Sequence, residues 1–327
     1  MKGYEELETE IIGAGRCTVC GACISACPLY YVALVNGMPS RPRKKAACKE
    51  CGVCYNACYL TKDGKDEGKA AGDFIRVVCA MMGDEKERRS CQDGGAVTAV
   101  IDHALGHGLI DGALLTGHPG WKPEPIIAKS KEEIASSSKT SYGASPLLGK
   151  LRSAIIEHNL GKIALVGLPC HIRSARHLKE ENVEPLASVI ALTVGLFCME
   201  NFRYDRVEKG VSDIGIRMED VEKFTVSDGN FNIHTAQRIE KIPLGRAGEW
   251  VLGYCPCTDY SGEYADISVG SGPVPGSSIV IVRTEKGDEI LKGLEKSGIL
   301  KTSPVQDIDF LFKAADRKRK KFKHLIT

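Results

Sequence analysis

The feature that most constrains this chain is a pair of cysteine runs near its N-terminus. Both runs have the spacing C-x2-C-x2-C-x3-C, and they comprise Cys17, Cys20, Cys23 and Cys27, then Cys48, Cys51, Cys54 and Cys58. At these spacings three thiolates converge on one cubane from a single loop, while the fourth cysteine of each run ligates the other cluster. The pattern therefore predicts two [4Fe-4S] clusters of low reduction potential.

The crossed ligation assigns every cysteine of the two runs. One cluster takes Cys17, Cys20, Cys23 and Cys58, and the second takes Cys48, Cys51, Cys54 and Cys27. A zinc ribbon is the alternative, but it uses two separated cysteine pairs per metal and has no use for a third C-x-x-C step. The second run ends in Cys58-Tyr59 where the first has Cys27-Pro28, a change that can loosen the turn without removing a ligand.

Length and composition set the context for these runs. A chain of 327 residues is expected to form two domains. Its net charge of +2 indicates no particular partner and gives no sign of nucleic-acid binding. No basic segment followed by an apolar one opens the chain, and the longest apolar run, residues 186–199, is shorter than the roughly 18 residues of a membrane helix. We expect a cytoplasmic protein, peripheral to a membrane at most, whose clustered cysteines bind metal.

The pattern changes after a polar stretch at residues 61–72, which is interpreted as a linker. Beyond it, amphipathic segments at 96–105 and 147–156 alternate with apolar runs. The runs predict buried strands at 75–82, 109–116, 162–168, 188–198, 266–269 and 278–283. We therefore expect an α/β flavin-binding domain at 73–312, preceded by a small α+β two-cluster ferredoxin-like domain at 1–72 and followed by a basic tail at 313–327.

Two predicted helix starts have the chemistry of anion sites. Asp93 is expected to be an acidic N-cap, and Gly94 and Gly95 would let backbone N–H groups approach a phosphate at the positive end of the helix. Ser145 and Pro146 are expected to open the second helix as N-cap and first residue. Well-capped helices without a ligand are the plain alternative, and the caps alone leave both open.

Four further cysteines lie at predicted strand ends or in loops, where side chains can converge: Cys170, Cys198, Cys255 and Cys257. Four thiols would hold a third cluster. Isolated buried cysteines are equally compatible with the spacing, since such residues are common and inert. Cys79 and Cys91 are interpreted as structural thiols.

Several ordered motifs resemble one known family. They are Ser90-Cys-Gln-Asp-Gly-Gly-Ala-Val-Thr98, Gly167-Leu-Pro-Cys170, Phe197-Cys-Met-Glu-Asn-Phe202 and the segment at 257–271 that begins Cys257-Thr-Asp-Tyr. From about Asp73 to the C-terminal helix, the sequence resembles the coenzyme F420 hydrogenase/dehydrogenase beta-subunit family.

The resemblance implies cofactors and sites. Members of the family bind FAD and exchange hydride with the 5-deazaflavin coenzyme F420, and some hold a [4Fe-4S] cluster in this domain. FAD is implied at Asp93, Gly94, Gly95, Val97, Thr98, Lys139, Thr140, Ser141 and Ser145, and a third cluster at Cys170, Cys198, Cys255 and Cys257. The family motif resembles C-x-x-C-x-D-Y, whereas here Tyr254 stands at the first position and Cys255 follows it.

With the ferredoxin module, the chain is similar to the electron-input subunits of archaeal F420H2 dehydrogenases. The resemblance implies an F420H2-oxidising, reversibly F420-reducing enzyme that passes single electrons to its clusters and on to a partner complex or ferredoxin. Beta subunits of formate dehydrogenases, hydrogenases or glutamate synthases are alternatives, as is a flavin-free electron relay. A flavin converts a hydride into single electrons, so no acid–base residue is required.

Coenzyme F420 carries a phosphodiester and an oligoglutamate tail, so its site should offer cations. The candidates are Lys122, Lys139, Arg283 and the basic segment 313–323. For the basic segment, a solvated helix end or a contact with a partner subunit is the alternative, because charge runs usually serve solubility or docking.

Overall fold

The computed structural model describes residues 2–41, 48, 51–62, 71–251 and 255–322. Most of the predicted linker at 61–72, Tyr254 and Lys323 lie outside the described residues. The N-terminal part contains short helices and one hairpin: α1 (Tyr4–Leu7), a π-helical turn (Glu8–Ile12), α2 (Ala22–Ala26), β1 (Ala33–Val35), β2 (Met38–Ser40) and α3 (Val53–Asn56). Tyr4, Leu7 and Ile11 pack against the cysteines there and form a small apolar cluster with Tyr59 and Leu60.

An eight-stranded sheet forms the centre of the larger part. Its strands are β3 (Arg76–Met82), β4 (Gly112–Gly117), β5 (Glu124–Ala128), β6 (Ile163–Gly167), β7 (Ile190–Leu196), β11 (Ile267–Ser271), β12 (Ser278–Val282) and β13 (Leu300–Pro304). All six predicted strands are present. The two that the sequence pattern missed, β5 and β13, are the edge strands, where polar residues and prolines are tolerated.

The strand order is β13-β3-β12-β11-β7-β6-β4-β5. The four strands β11, β7, β6 and β4 are parallel neighbours, and the flanking pairs are antiparallel. Because the carboxyl ends of parallel strands share one edge of a sheet, the segments that follow β6 and β7 emerge side by side. Cys170 and Cys198 lie on those segments.

Helices cover both faces of this sheet: α4 (Glu85–Ser90), α5 (Ala96–Gly106), α6 (Lys131–Ser136), α7 (Leu151–Ile156), α8 (Pro169–Glu180), α11 (Glu285–Lys296) and α12 (Asp309–Phe322). Helices α5, α6 and α11 pack on one face, and α7, α8 and the N-terminal module pack on the other. Successive strand residues alternate between the faces, as Leu114 and Leu115 do. The part of the chain that the structure describes includes no helix with the length and apolarity to cross a bilayer.

A smaller unit, which the sequence analysis did not predict, flanks the sheet. It comprises β8 (Val221–Ser227), β9 (Asn230–Thr235), β10 (Ile239–Pro243), α9 (Tyr204–Asp213) and α10 (Leu244–Ala247). An aromatic cluster holds it together, with Phe231 packing against Phe202, Phe224 and Trp250. Two hydrogen bonds join it to the loop before α5. Lys223 Nζ donates to the Gln92 carbonyl, and Gln92 Nε2 donates to the Phe224 carbonyl.

The N-terminal module docks closely on the segment before α7. The Leu148 amide donates to the Cys20 carbonyl at 3.0 Å, and the Arg152 Nε donates to the Ser25 carbonyl at 2.6 Å. Gly21 has φ +88°, and a Cβ there would lie 2.5 Å from the Pro146 carbonyl oxygen. Only glycine fits this approach, which fixes the first cysteine run against the larger part.

Candidate functional site

The first cysteine set lines one cavity. Cys17, Cys20, Cys23 and Cys58 face it, and the apolar side chains of Leu7, Ile11 and Leu60 form part of its wall. Burial, with a smaller contribution from Cys20, raises the pKa of the Cys17 thiol to about 12. Buried thiols that face one another ionise readily only when a cationic centre offsets their charge. The donor set therefore fits a metal cluster.

The second set lies nearer the surface. Burial raises the pKa of Cys54 to about 12, and Cys27, Cys48 and Cys51 all lie close enough to influence that thiol. Cys51 is exposed and Cys48 is half-buried, whereas Cys27 and Cys54 are buried. Cys27 thus accompanies the second run and Cys58 the first, which is the grouping that the spacing predicts. Iron ligation at both sets stays a prediction.

The third set lines a cavity beside the first. Cys170 lies in the first turn of α8, Cys198 follows β7, and Cys255 and Cys257 lie in the loop before β11. All four thiols are buried and face the same space, so Cys255 lies with the others despite its departure from the family motif. Thr18 lines both this cavity and that of the first set, so the two are neighbours.

The thiols of the first and third sets line their cavities, but they do not converge on a position for a single ion. Among the described residues there is no group of three or more histidine, cysteine or acidic side chains that could hold a single metal ion. A single zinc ion needs its sulfur ligands about 2.3 Å away, whereas a cluster of several atoms spreads its ligands around a larger body. The arrangement around the first and third cavities therefore suits clusters.

Lys318 is a residue of the third cavity that the sequence analysis missed. Its side chain is fully buried, and its Nζ donates to the Cys198 carbonyl at 2.6 Å. Burial alone would lower the pKa of Lys318, but Cys198, Cys257 and Cys255 raise it above the ordinary value. The expectation of a solvated basic segment is therefore wrong for this residue. The signal was present in the helical spacing of Leu311, Ala315, Lys318 and Phe322, which form the buried face of α12.

The predicted caps of the cofactor site are wrong in detail. Gly95, with φ +77°, occupies the N-cap of α5, and no side chain caps that helix. The Asp93 carboxylate instead accepts from Ser271 Oγ at 2.9 Å, and Gly94 donates its amide to Ser278 Oγ. Because Asp93 is held by another strand, the N–H groups of the first turn, which includes Val97 and Thr98, lack a capping side chain and suit an anion.

Residues 139–145 cross from this helix start towards the third cysteine set. The Thr140 amide donates to Gln92 Oε1, Lys139 Nζ donates to the Glu222 carbonyl at 3.0 Å, and Ser141 Oγ donates to the Trp121 carbonyl. Between them and Ser145 lies the half-buried Tyr142, which is close enough to both Asp93 and Cys198 for each to raise its pKa further beyond the effect of burial.

Ser145 does not cap a helix, since Pro146 is the N-cap of the 3-10 helix Leu147–Lys150 that leads into α7. Its Oγ is buried and has no hydrogen-bond partner among the described residues. A buried hydroxyl without a partner is uncommon, and a bound ligand would satisfy it. The chemistry at Asp93, at the open turn of α5 and at Ser145 therefore fits a flavin dinucleotide.

His171 fixes this segment to the third set, although no sequence motif distinguishes this histidine. Its Nδ1 accepts from the Leu168 amide and its Nε2 donates to the Ser145 carbonyl, both at 3.0 Å. Burial lowers the pKa of His171 to about 4, so the ring is neutral. The adjacent Cys170 thereby has a rigid connection to Ser145.

Comparison with known proteins decides the family. Residues 77–152 match the N-terminal part, and residues 160–308 the C-terminal part, of the coenzyme F420 hydrogenase/dehydrogenase beta subunit. The coenzyme F420 hydrogenase subunit beta of Methanothermobacter thermautotrophicus is 35% identical over 245 residues, which cover 72% of this chain and 87% of that protein. This chain belongs to the coenzyme F420 hydrogenase/dehydrogenase beta-subunit family.

Two further relatives of this F420 beta-subunit family bear on the whole chain. A subunit of the F420H2 dehydrogenase of Methanosarcina mazei is 28% identical over 95% of this chain and 91% of its own length. One chain of the F420-reducing [NiFe] hydrogenase complex of Methanosarcina barkeri has a TM-score of 0.75 and 32% identity, covering 78% of this chain and 91% of that one. The mixed α/β fold is thus that of an F420-linked oxidoreductase family.

The structure places the cations that were expected to bind coenzyme F420 in different surroundings. Arg283 is half-buried, and its guanidinium donates to Ser268 Oγ and to the carbonyls of Ala71 and Asp73. Lys122 is exposed and lies 3.8 Å from Glu124. Lys139 is half-buried, and its Nζ donates to the Glu222 carbonyl of β8. The basic segment belongs to α12, which runs without a break across residue 313.

Proposed function

We propose that this chain is an F420H2-oxidising, reversibly F420-reducing iron–sulfur flavoprotein. In this proposal FAD and three [4Fe-4S] clusters connect one F420H2, which yields F420, two electrons and two protons, to a one-electron acceptor. The observation that carries it is the continuity of the candidate sites. Thr140 is bonded to Gln92 beside the start of α5, Ser145 is bonded to His171 next to Cys170 of the third cavity, and Thr18 lines both the third cavity and the first.

The residues of the chain bind and orient the cofactor. The first-turn N–H groups of α5 are suited to its pyrophosphate, and Ser145 Oγ to one of its polar atoms. When bound, FAD supplies the exchange of a hydride pair for single electrons. Lys139 is the cation best situated to receive the acidic coenzyme.

The cysteine sets give the electron route an order. The third set adjoins the cofactor segment through Tyr142 and Cys198, and it adjoins the first set through Thr18. Cys23 of the first set lies within electrostatic reach of Cys54 of the second. Because Cys51 is exposed, the second set is the terminal that an external partner can approach.

The partner is proposed from the relatives. One is a subunit of a hydrogenase and another of an F420H2 dehydrogenase, so we propose that this chain delivers electrons to a larger redox complex or to ferredoxin. Residues 1–72 would form the two-cluster module and 73–312 the flavin module. The basic tail at 313–327 would begin within α12, which would complete the third site through Lys318 and Phe322.

The test is F420H2 oxidation by the reconstituted chain, with a viologen dye as one-electron acceptor. We expect about one FAD and about twelve irons per chain, and F420 formation that reduces two dye molecules per turnover. A chain that binds its irons but no FAD, and that leaves F420H2 unchanged, would instead be a flavin-free electron relay.

A further inference from the structure

Lys318 is the one lysine or arginine that is fully buried in the part of the chain described by the structure. It lines the third cavity together with Cys170, Cys198, Cys255 and Cys257. Its Nζ donates a hydrogen bond to a neutral group, the Cys198 carbonyl, at 2.6 Å. A buried ammonium is costly unless an anion compensates it, so the residue needs a negative group within the cavity.

The other charged groups around the cavity have partners elsewhere. Asp259 is a buried carboxylate near Lys318, and its two oxygens accept the amides of Gly262 and Glu263 at 2.8 and 2.9 Å, bonds that stabilise its negative charge without removing it. Glu200 pairs with Lys321 at the surface. Arg173, the second cation near Cys257, lies over the rings of Tyr59 and Tyr264. Cys198, Cys257 and Cys255 each influence Lys318 more strongly than Asp259 does, and they become negative groups as thiolates when they ligate iron.

We infer that Lys318 is a fixed positive charge that offsets the electron taken up by the third cluster and thereby raises its reduction potential. This inference rests on the proposed function. Four thiolates around a [4Fe-4S]2+ core carry a net charge of −2, and one added electron makes it −3, with no proton taken up. A neighbouring cation stabilises the reduced form more than the oxidised form, and local charge is a main determinant of cluster potentials.

The first cavity provides an internal comparison. Its described lining residues, which include Leu7, Thr18, Tyr59 and Leu60 besides the cysteines, contain no lysine or arginine. The third site therefore differs from the first in holding a buried cation. In this proposal the added charge favours reduction of the third cluster by an electron arriving from the cofactor side.

The test is EPR-monitored redox titration of the reconstituted chain, reduced with dithionite, for Lys318→Gln and Lys318→Arg. Glutamine keeps an N–H donor for the Cys198 carbonyl but removes the charge, and arginine keeps the charge. We expect Lys318→Gln to shift the one-electron equilibrium of the third cluster at least tenfold towards oxidation, a fall of about 59 mV or more. Lys318→Arg should stay within half of that shift. Lys320→Gln, an exposed change on the same helix, is the control.

The outcomes separate the inference from the proposed function. About eight irons per wild-type chain would mean that no third cluster forms, and both would fail. About twelve irons with an unchanged potential in Lys318→Gln would overturn the inference alone. If Lys318→Gln loses about four irons, retention by Lys318→Arg supports charge compensation, whereas loss in both variants would show that side-chain shape is what matters and would overturn it.

Discussion

Two buried cysteines show how position decides the role of a thiol. Cys198 shares the third cavity with three other cysteines, whereas Cys79 lies within β3 of the central sheet. We predict that Cys198→Ala loses about a third of the iron and one EPR signal, because a cubane lacking a ligand is released more easily. Cys79→Ala, the matched control, should keep all its iron. Equal iron contents in both variants would contradict the assignment of Cys198.

Ser145 offers a second test at the residue scale. Its Oγ is buried without a protein partner among the described residues, so replacement by alanine removes an unsatisfied polar group from the FAD-free protein. We predict that Ser145→Ala leaves the melting temperature of FAD-free protein unchanged or higher, yet weakens FAD binding about tenfold, the loss of one hydrogen bond. Calorimetric titration with FAD measures this. The exposed change Ser136→Ala is the control, and equal affinity in the two variants would place Ser145 outside the FAD site.

The sequence could predict which cysteines group together but not all that surrounds them. The eight N-terminal cysteines have a spacing that specifies crossed ligation, and the structure groups them accordingly. Lys318 was interpreted as part of a solvated charge run, because a basic residue is normally exposed and its burial depends on a partner distant in sequence. His171 is likewise defined only by its contact with Ser145.

At the scale of elements, the loop of the first cysteine run depends on one glycine. Gly21 and Gly15 both have positive φ, at +88° and +72°, but only Gly21 closely approaches another segment. Alanine at either position costs about 1–2 kcal/mol of backbone strain. We predict that Gly21→Ala lowers the free energy of unfolding by a further 2 kcal/mol or so, because its Cβ clashes with Pro146 and Gly149 backbone that cannot move freely.

Chemical denaturation of the two glycine variants, reconstituted in parallel, measures that difference. The Gly15→Ala variant isolates the strain, since nothing lies within 4 Å of its added Cβ. If both variants unfold at the same denaturant concentration, the close docking of the cysteine loop on residues 146–149 is not a constraint on stability.

Sequence patterns predicted the elements best where burial is uniform. Apolar runs located all six inner strands, because such strands are covered on both faces. The edge strands β5 and β13, and the small sheet β8–β10, mix polar and apolar residues and escaped that criterion. The cap predictions failed at Asp93 and Ser145 because tertiary partners there, Ser271 and His171, hold residues that local preference would assign to the helix ends.

For the whole molecule, the cysteine sets differ in exposure. Cys51 of the second set is exposed, whereas all four cysteines of the third set are buried. Since access controls cluster oxidation, we predict that limited air exposure followed by a ferrous chelator removes the second cluster first and the third last. EPR spectra taken at intervals measure the order. Simultaneous loss, or earliest loss of the third cluster, would contradict the proposed external terminal at Cys51.

The central claim is that hydride electrons from F420H2 reach the clusters through FAD bound between the start of α5 and the third cysteine set. Anaerobic rapid mixing of the reconstituted chain with F420H2, with flavin and iron–sulfur absorbance followed together, tests it most directly. We predict that both absorbances bleach in the wild type, and that Cys198→Ala bleaches the flavin while its remaining clusters reduce at least tenfold more slowly. FAD that stays oxidised in the presence of F420H2 would contradict the account.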